Sequence, residues 1–404
     1  MQIALLTNII SPHQIPLAHA LVARVGEQNY RYFYTEKAHA ERSNMGWGTT
    51  MPCWCQQTDS PQDEAVLRNV EVLLSGIRAI ALFEDRIQRG KKTYYTSERW
   101  FKPPFGFLRI LMPSYFAMAW RLTRCFQSLQ FQYLPMGVHA ARDMARLYGL
   151  LHGDFRCIFQ APKIAFESRP GGRILLLRQA IKMGLLSSEE RAFGRRHGFV
   201  QIPKGKWEHL PPSDKTCIFD KMKMWGYFVA PGQGHVLPIK HPPKVLWVGR
   251  MLNWKHVAVL VRACRSHQNL KHVAVSLSLY GHGPEEKRLK KVAGSYPTIT
   301  FHDFIPVEEV RRVMQQHDIY VLPSNGYEGW GAVVNEALEE GMRVLATYES
   351  GAGATVLPPS NLFHAGDIKR LSALLANPIT PYPIGLWTAQ NAAEALQELI
   401  GGRP

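Results

Sequence analysis

The chain has 404 residues, 46% of them apolar, with six cysteines and a formal net charge of +16. That length and apolar content suit two domains with separate cores, and so few cysteines in so long a chain exclude a disulfide framework. No apolar run reaches the roughly 18–20 residues of a transmembrane helix, and the opening Met1–Asn8 lacks the basic region and cleavage site of a signal peptide. A cytosolic protein with reduced thiols is therefore expected. Cys53 and Cys55 are the only close pair, and no further His or Cys completes a metal site beside them.

In chain order, apolar runs at 2–7, 30–35, 69–75, 93–97 and 131–136 alternate with helical periodicity at 14–26, 77–90, within 104–130, and at 138–150. Strands alternating with helices predict a parallel, doubly wound sheet. Residues 151–225 break this rhythm; their one helical patch is 172–196. An insertion and an excursion facing a membrane or an acceptor are both open there. Pro and Gly crowd 231–243, which reads as a linker. A second β/α series occupies 244–376, and Pro378, Pro381 and Pro383 interrupt it before a last amphipathic helix at 387–400. The expected domains are 1–230 and 244–380, with 381–404 as a terminal helical segment.

Most of the excess positive charge falls in the first 230 residues. It concentrates in 86–124, where Arg86, Arg89, Lys91, Lys92, Arg99, Lys102, Arg109, Arg121 and Arg124 face only Glu98 and alternate with aromatic and aliphatic residues. Such a strip suits an anionic membrane surface; an internally packed helix with a basic face is the alternative. No zinc finger, ribonucleoprotein motif or helix-turn-helix supports a nucleic-acid partner.

Residues 323–336 read Pro-Ser-Asn-Gly-Tyr-Glu-Gly-Trp-Gly-Ala-Val-Val-Asn-Glu, after an apolar strand (318–322) and before a helix former (337–340). Strand, glycine-rich turn and helix make a site for an anion, since turn N–H groups and a helix N-terminus both favour negative charge. Glu336 is expected two turns into the helix, in reach of hydroxyls beside the phosphates. Three earlier stretches accompany this one: Val245–Lys255 with its Gly249-Arg250 turn and Lys255, Leu279–Glu285 with Gly281-x-Gly283-Pro284, and Phe301–Pro306.

Together these stretches resemble the donor half of retaining GT-B glycosyltransferases of family four, the glycosyl transferases group 1 type, and of its bacterial surface-polysaccharide subgroup. The resemblance implies an α/β GT-B fold of two doubly wound Rossmann-like domains facing each other across a cleft, with the last helix crossing back to the first domain. It implies that Arg250 and Lys255 bind the donor diphosphate, Glu328 the sugar hydroxyls and Glu336 the ribose. Backbone N–H groups of Gly329, Trp330, Gly331, Ala332 and Val333 would add donor contacts; Gly281, Gly283, Phe304 and Ile305 would shape the base pocket. Alone, each cation or acid could equally be a solvated surface residue.

On the acceptor side, Thr7–Pro16 lacks the family's common Gly-Gly loop and resembles an Asn-x-x-Ser-Pro variant of bacterial polysaccharide transferases. Ser97, Glu98 and Arg99 close a predicted strand, and Glu98 is the catalytic candidate. Glu167, which follows no clear strand, is its rival; His13, His139 and Trp47 are further candidates. No Asp-x-Asp occurs, so neither a metal nor any other cofactor is expected. The reading is transfer of a sugar from a UDP- or GDP-linked donor to a glycan or lipid-linked glycan, in cell-surface polysaccharide or lipopolysaccharide assembly, by a cytoplasmic protein peripheral on the inner face of the plasma membrane. A nucleotide-sugar 2-epimerase on the same fold and an inactive scaffold that binds nucleotide or membrane are the alternatives.

Overall fold

Six buried or half-buried strands build the first sheet: β1 (Ile3–Thr7), β2 (Tyr30–Tyr34), β3 (Cys55–Gln57), β4 (Val72–Ser75), β5 (Lys92–Ser97) and β6 (Phe131–Pro135). All neighbours pair in parallel, in the order β3-β2-β1-β4-β5-β6. The computed structural model describes residues 1–37, 52–154, 157, 163–203, 205, 218–232, 242–271, 275–376 and 385–401. Runs such as Ile-Ala-Leu-Leu in β1 suit strands covered on both faces. Helices α1 (Ile15–Val25), α2 (Pro61–Asn69), α3 (Ile80–Gln88), α4 (Pro113–Cys125) and α5 (Val138–His152) connect the strands. Two of these elements carry little sequence signal. The three-residue β3, Cys-Gln-Gln, takes its place from its register with Tyr32–Tyr34; α2 is announced by the Ser60–Asp63 capping box rather than by apolar periodicity.

Arg86 is not part of the basic surface. It is fully buried, and its guanidinium donates to the carbonyls of Leu67 (2.6 Å), Val70 (3.0 Å) and Lys92 (2.6 Å) and to Thr93 Oγ1 (3.0 Å). It ties the end of α2 to the start of β5, and burial pushes its pKa down to about 10.

The irregular region after α5 forms a small sheet of β7 (Ile164–Glu167), β8 (Ile174–Leu176) and β9 (Phe199–Ile202), with β7 central, antiparallel to β8 and parallel to β9. The expected single helical patch is thus a strand and two helices, α6 (Leu177–Lys182) and α7 (Ser188–His197). Gly184, at φ +69°, and the Ser187–Glu190 capping box separate them. A core of its own, including Ala165, Leu175, Leu177 and Val200, holds this layer.

The second unit runs from Val229 to Thr388. Its strands β10 (Lys244–Val248), β11 (Ser276–Tyr280), β12 (Ile299–His302), β13 (Ile319–Leu322), β14 (Arg343–Thr347) and β15 (Leu362–Phe363) are parallel, in the order β12-β11-β10-β13-β14-β15. The intervening helices are α8 (Val257–Lys271), α9 (Glu286–Ala293), α10 (Val307–Met314), α11 (Val333–Glu339), α12 (Gly351–Val356) and α13 (Ile368–Ala376). Val245, Trp247, Leu260, Leu277 and Val321 lie in its core. Both large sheets share one strand order, which reverses between β1 and β4 in the first and between β10 and β13 in the second. Ligands bind open α/β sheets at such reversals, beyond the strands' C-terminal ends.

The last helix, α14 (Ala389–Gly401), belongs to the first unit. It packs on α1, where Arg24 donates to Gln397 Oε1 (2.7 Å) and Glu394 Oε1 (2.6 Å); Lys92 Nζ donates to the carbonyl of Ile400. Val229 and Thr388, the two ends of the main stretch of the second unit, pair as an isolated parallel bridge. Residues 233–241 of the expected linker lie outside the described residues. Among the described residues no helix is long and apolar enough to cross a membrane.

Candidate functional site

The loops after β10 and β13 meet at the strand-order reversal of the second unit. The first carries Arg250 and Lys255, the second Glu328. Lys255 Nζ donates to Glu328 Oε2 at 2.5 Å, and Ser324 Oγ donates to the same oxygen at 2.9 Å. Glu328 is buried, so its charge needs such partners. The loops are also joined through backbone: Asn325 N–H donates to the Trp254 carbonyl at 2.9 Å. The Lys255 ammonium sits 4.5 Å from the centroid of the Trp254 ring. Arg250, on the same loop, is exposed.

His256, which the sequence reading passed over, terminates the turn carrying Lys255. It is the one described non-glycine residue with positive φ, at +50°, a conformation costing about 1–3 kcal/mol. Burial lowers its pKa, and the neutral ring accepts from Asn325 Nδ2 at 3.3 Å. Its Nδ1 is buried without a partner among the described residues. The only sequence signal was a bulky residue between a turn and a helix, where glycine fits best.

Gly281 and Gly283 brace this loop. A Cβ on Gly281 would lie 2.1 Å from the Gly249 carbonyl oxygen, and one on Gly283 would lie 2.5 Å from that of Met251. Met251 N–H donates to the His282 carbonyl and Glu285 N–H to that of Met251. The glycines therefore let the loops after β10 and β11 touch, which sets the course of the chain through Arg250. Phe304, exposed, and Ile305, half-buried, follow β12, the edge strand two positions from β10. Beside them Tyr280 and His302 stack at 4.3 Å, a pair absent from the sequence reading.

Glu336 lies in the first turn of α11, not two turns in. Gly331, at φ +90°, delays the helix to Val333; a Cβ there would meet Leu322 Cδ2 at 2.6 Å. The helix is also short, seven residues. Glu328 and Glu336 nonetheless share surroundings: both raise the pKa of the buried Tyr320 phenol on β13, after the larger effect of burial itself. The Trp330 ring is a packing element rather than an exposed sugar platform. It is fully buried, its Nε1 donates to Asn335 Oδ1 at 3.1 Å, and it lies 5.4 Å from Trp387. Gly329 and Ala332 are buried and Gly331 and Val333 half-buried around it.

In the first unit, His13 follows β1, Glu98 and Arg99 follow β5, and His139 opens α5 just after β6. All four lie beyond the C-terminal edge of one sheet. Glu98 pairs with Lys102 at 2.6 Å, rather than with Arg99 or Arg109. Arg99 lies 3.6 Å from Asp143, a buried residue of α5 whose carboxylate also accepts the Phe101 N–H at 3.1 Å. Burial holds the Asp143 pKa above the ordinary value. Ser97 is structural: its hydroxyl bonds Tyr133 Oη at 2.9 Å and accepts from Trp100 Nε1 at 3.0 Å. Glu167 does close a strand, β7, and there pairs with Arg169 at 3.0 Å. Trp47 lies outside the described residues. Among the described residues no three His, Cys, Asp or Glu side chains group as metal ligands.

Residues 242–377 match the family model described as Glycosyl transferases group 1. The stretch spans the second unit's sheet and includes Arg250, Lys255, Glu328 and Glu336. A relative described as an uncharacterized glycosyltransferase of Methanocaldococcus jannaschii is 27% identical over 124 residues, 30% of this chain. The match spans about a third, 32%, of that relative's length. Among solved structures, HepE of Anabaena in complex with UDP aligns at 12% identity over 99% of this chain and 97% of its own, with a TM-score of 0.55. The lipopolysaccharide outer core galactosyltransferase WaaB, in its apo form, aligns at 13% identity over 100% of both chains, with a TM-score of 0.51. At such identities the likeness establishes the fold, and the fold is GT-B: two Rossmann-like α/β domains.

Proposed function

We propose that this protein is a glycosyltransferase that moves a sugar from a nucleotide donor to a saccharide acceptor, with retention at the anomeric carbon. The observation that carries the reading is the Lys255–Glu328 pair at the strand-order reversal, inside the segment that matches group 1 glycosyl transferases. A nucleotide sugar presents a diphosphate beside a ring of hydroxyls. Lys255 and Arg250 suit the first and Glu328 the second, while Glu336 takes the ribose. As the sugar departs, negative charge grows on the diphosphate, and preorganised cations there lower the barrier. The C1–phosphate bond breaks, the acceptor oxygen bonds C1 from the same face, and its proton leaves with the diphosphate. Fixed cations fill the role that a metal could otherwise fill.

The likeness to HepE, solved with UDP and with UDP-glucose, supports a UDP-linked sugar as the first donor to test, ahead of a GDP-linked one. The likeness to WaaB supports a lipid-linked glycan acceptor in surface polysaccharide or lipopolysaccharide assembly. On the acceptor side, Glu98 orients the attacking hydroxyl, with Arg99, His13 and His139 around the same sheet edge. The test is slow donor hydrolysis across a panel of UDP- and GDP-sugars, in wild type and Lys255→Ala. One donor should be consumed by wild type and spared by the variant. Consumption of none, or equal consumption by both, would overturn the reading.

A further inference from the structure

The segment between β5 and β6 presents to solvent what a globular domain ordinarily hides. Phe105, Leu108, Leu111, Met112, Phe116 and Trp120 are all exposed, Leu111 by 76% and Leu108 by 66%. They run from Phe105, just before a 3-10 turn (Gly106–Leu111), into α4 as far as Trp120. These are not the core face of an amphipathic helix. That face exists as well: Ala119, Leu122, Thr123 and Cys125 are buried. The solvent-exposed side of α4, where polar residues belong, carries Phe116 and Trp120 one turn apart and then Arg124. Exposed apolar residues this concentrated mark an interaction surface.

Charge decides among occupants. From Arg99 to Arg142 the chain contains no Asp or Glu, while Lys102, Arg109, Arg121 and Arg124 fall within or beside the apolar residues. Lys102 pairs with Glu98 and Arg121 with Glu84, but Arg109 and Arg124 make no ion pair among the described residues. Leucine and phenylalanine side chains that can enter the acyl boundary, with guanidiniums at headgroup level, match the interfacial binding mode. Trp120 is half in and half out, stacked on His152 at 5.1 Å, as amphipathic rings are at membrane interfaces. We propose that residues 105–124 dock the first unit on an anionic bilayer surface. The structure narrows the basic strip expected from sequence: Arg86, Trp100, Phe101 and Ile110 are interior, and the membrane face begins at Phe105.

The proposal is independent of the transferase reading, and its test needs no substrate. Full-length protein is sedimented with phosphatidylcholine vesicles and with vesicles containing phosphatidylglycerol. Binding is expected only to the anionic vesicles and should fall with salt, since each basic residue at such a surface contributes roughly fivefold. The triple variant Leu108→Ser/Leu111→Ser/Phe116→Ser should lose about tenfold or more in partitioning. Its melting temperature should hold within a few degrees, because Leu108 and Leu111 are mostly in water and Phe116 is about half so. Arg109→Glu/Arg124→Glu should lose comparably. Absence of wild-type binding, equal binding to both vesicle types, or an unaffected triple variant would overturn the proposal. So would a wild-type dimer that becomes a monomer in the triple variant with vesicles ignored by both, since the face would then belong to a second copy.

Discussion

Removing the Lys255 ammonium should leave two separable marks, one on stability and one on chemistry. In Lys255→Ala the buried Glu328 carboxylate keeps only the Ser324 hydroxyl among its described partners. Breaking a fully buried pair costs about 3–5 kcal/mol. Here the Lys255 side chain is 19% and the Glu328 side chain 10% exposed, so water recovers part of that, and about 1–3 kcal/mol is expected. For a unit of this size that is a melting shift of roughly 3–10 °C. Lys255→Met/Glu328→Gln should be more stable than the sum of its single variants by about 1 kcal/mol or more, because the double change leaves no orphaned charge. Donor turnover is a separate quantity. Loss of a preorganised cation at the departing diphosphate should lower it ~10²-fold or more in Lys255→Ala. Urea unfolding of the four proteins gives the coupling, and donor consumption at saturation gives the rate. Additivity within about 0.5 kcal/mol would mean that the pair is a solvated surface contact. Wild-type turnover in a folded Lys255→Ala would remove Lys255 from the diphosphate.

Arg250→Ala should lower turnover ~10²-fold, and wild-type activity should survive EDTA; loss with rescue by Mn²⁺ would assign the diphosphate to a metal. Glu336→Ala should weaken binding of the free nucleoside diphosphate in calorimetry while leaving turnover at saturation largely intact, and unchanged affinity would make it a surface acid. Glu98→Gln should cost under about 1 kcal/mol, because its partner Lys102 is partly in water. It should nevertheless reduce transfer to acceptor; transfer at the wild-type rate would shift attention to Glu167. Asp143 binds its proton more tightly in the folded than in the unfolded chain, so its contribution to stability falls as pH rises from its unfolded value of about 3.9 through the raised folded one. The stability difference between wild type and Asp143→Asn, followed by denaturant titration, should therefore become less favourable to wild type over that window, and a flat difference would refute the assignment.

Much of the fold was legible because strands buried on both faces leave continuous apolar runs that stand out against helical periodicity; β1, β10 and β13 are of this kind. The strand β3 left no such trace, since it is polar and exists through pairing with β2. The layer around β7 was hidden for a related reason: its strands are three or four residues long, and its helices are separated by a glycine and a capping serine that a coarse reading absorbs. At the candidate site, residue types and spacing were readable, but local backbone conformation was not. The left-handed His256 and the late start of α11 after Gly331 both depend on φ angles that residue spacing does not encode. Partner choice was equally hidden. Glu98 could have met Arg99, but Asp143, far along the chain on α5, takes that arginine instead.

The first unit draws on chain from both sides of the Val229–Thr388 stretch, because α14 packs on α1 and Lys92 reaches the carbonyl of Ile400. The strands and helices of the second unit all fall between Val229 and Thr388. During synthesis the residues up to Phe228 therefore emerge with the α14-binding surface of α1 uncovered, and the final helix arrives only after 160 further residues have been made. Both units can complete their large sheets as they leave the ribosome, but the first must wait for its last helix. A ribosome that stalls late, or a protease that trims the last turns, would leave the second sheet intact and strip the first of a helix. For the same reason a fragment ending at Phe228 holds every strand of its sheets but lacks α14, whereas one spanning 229–388 contains the strands and the helices of the second unit.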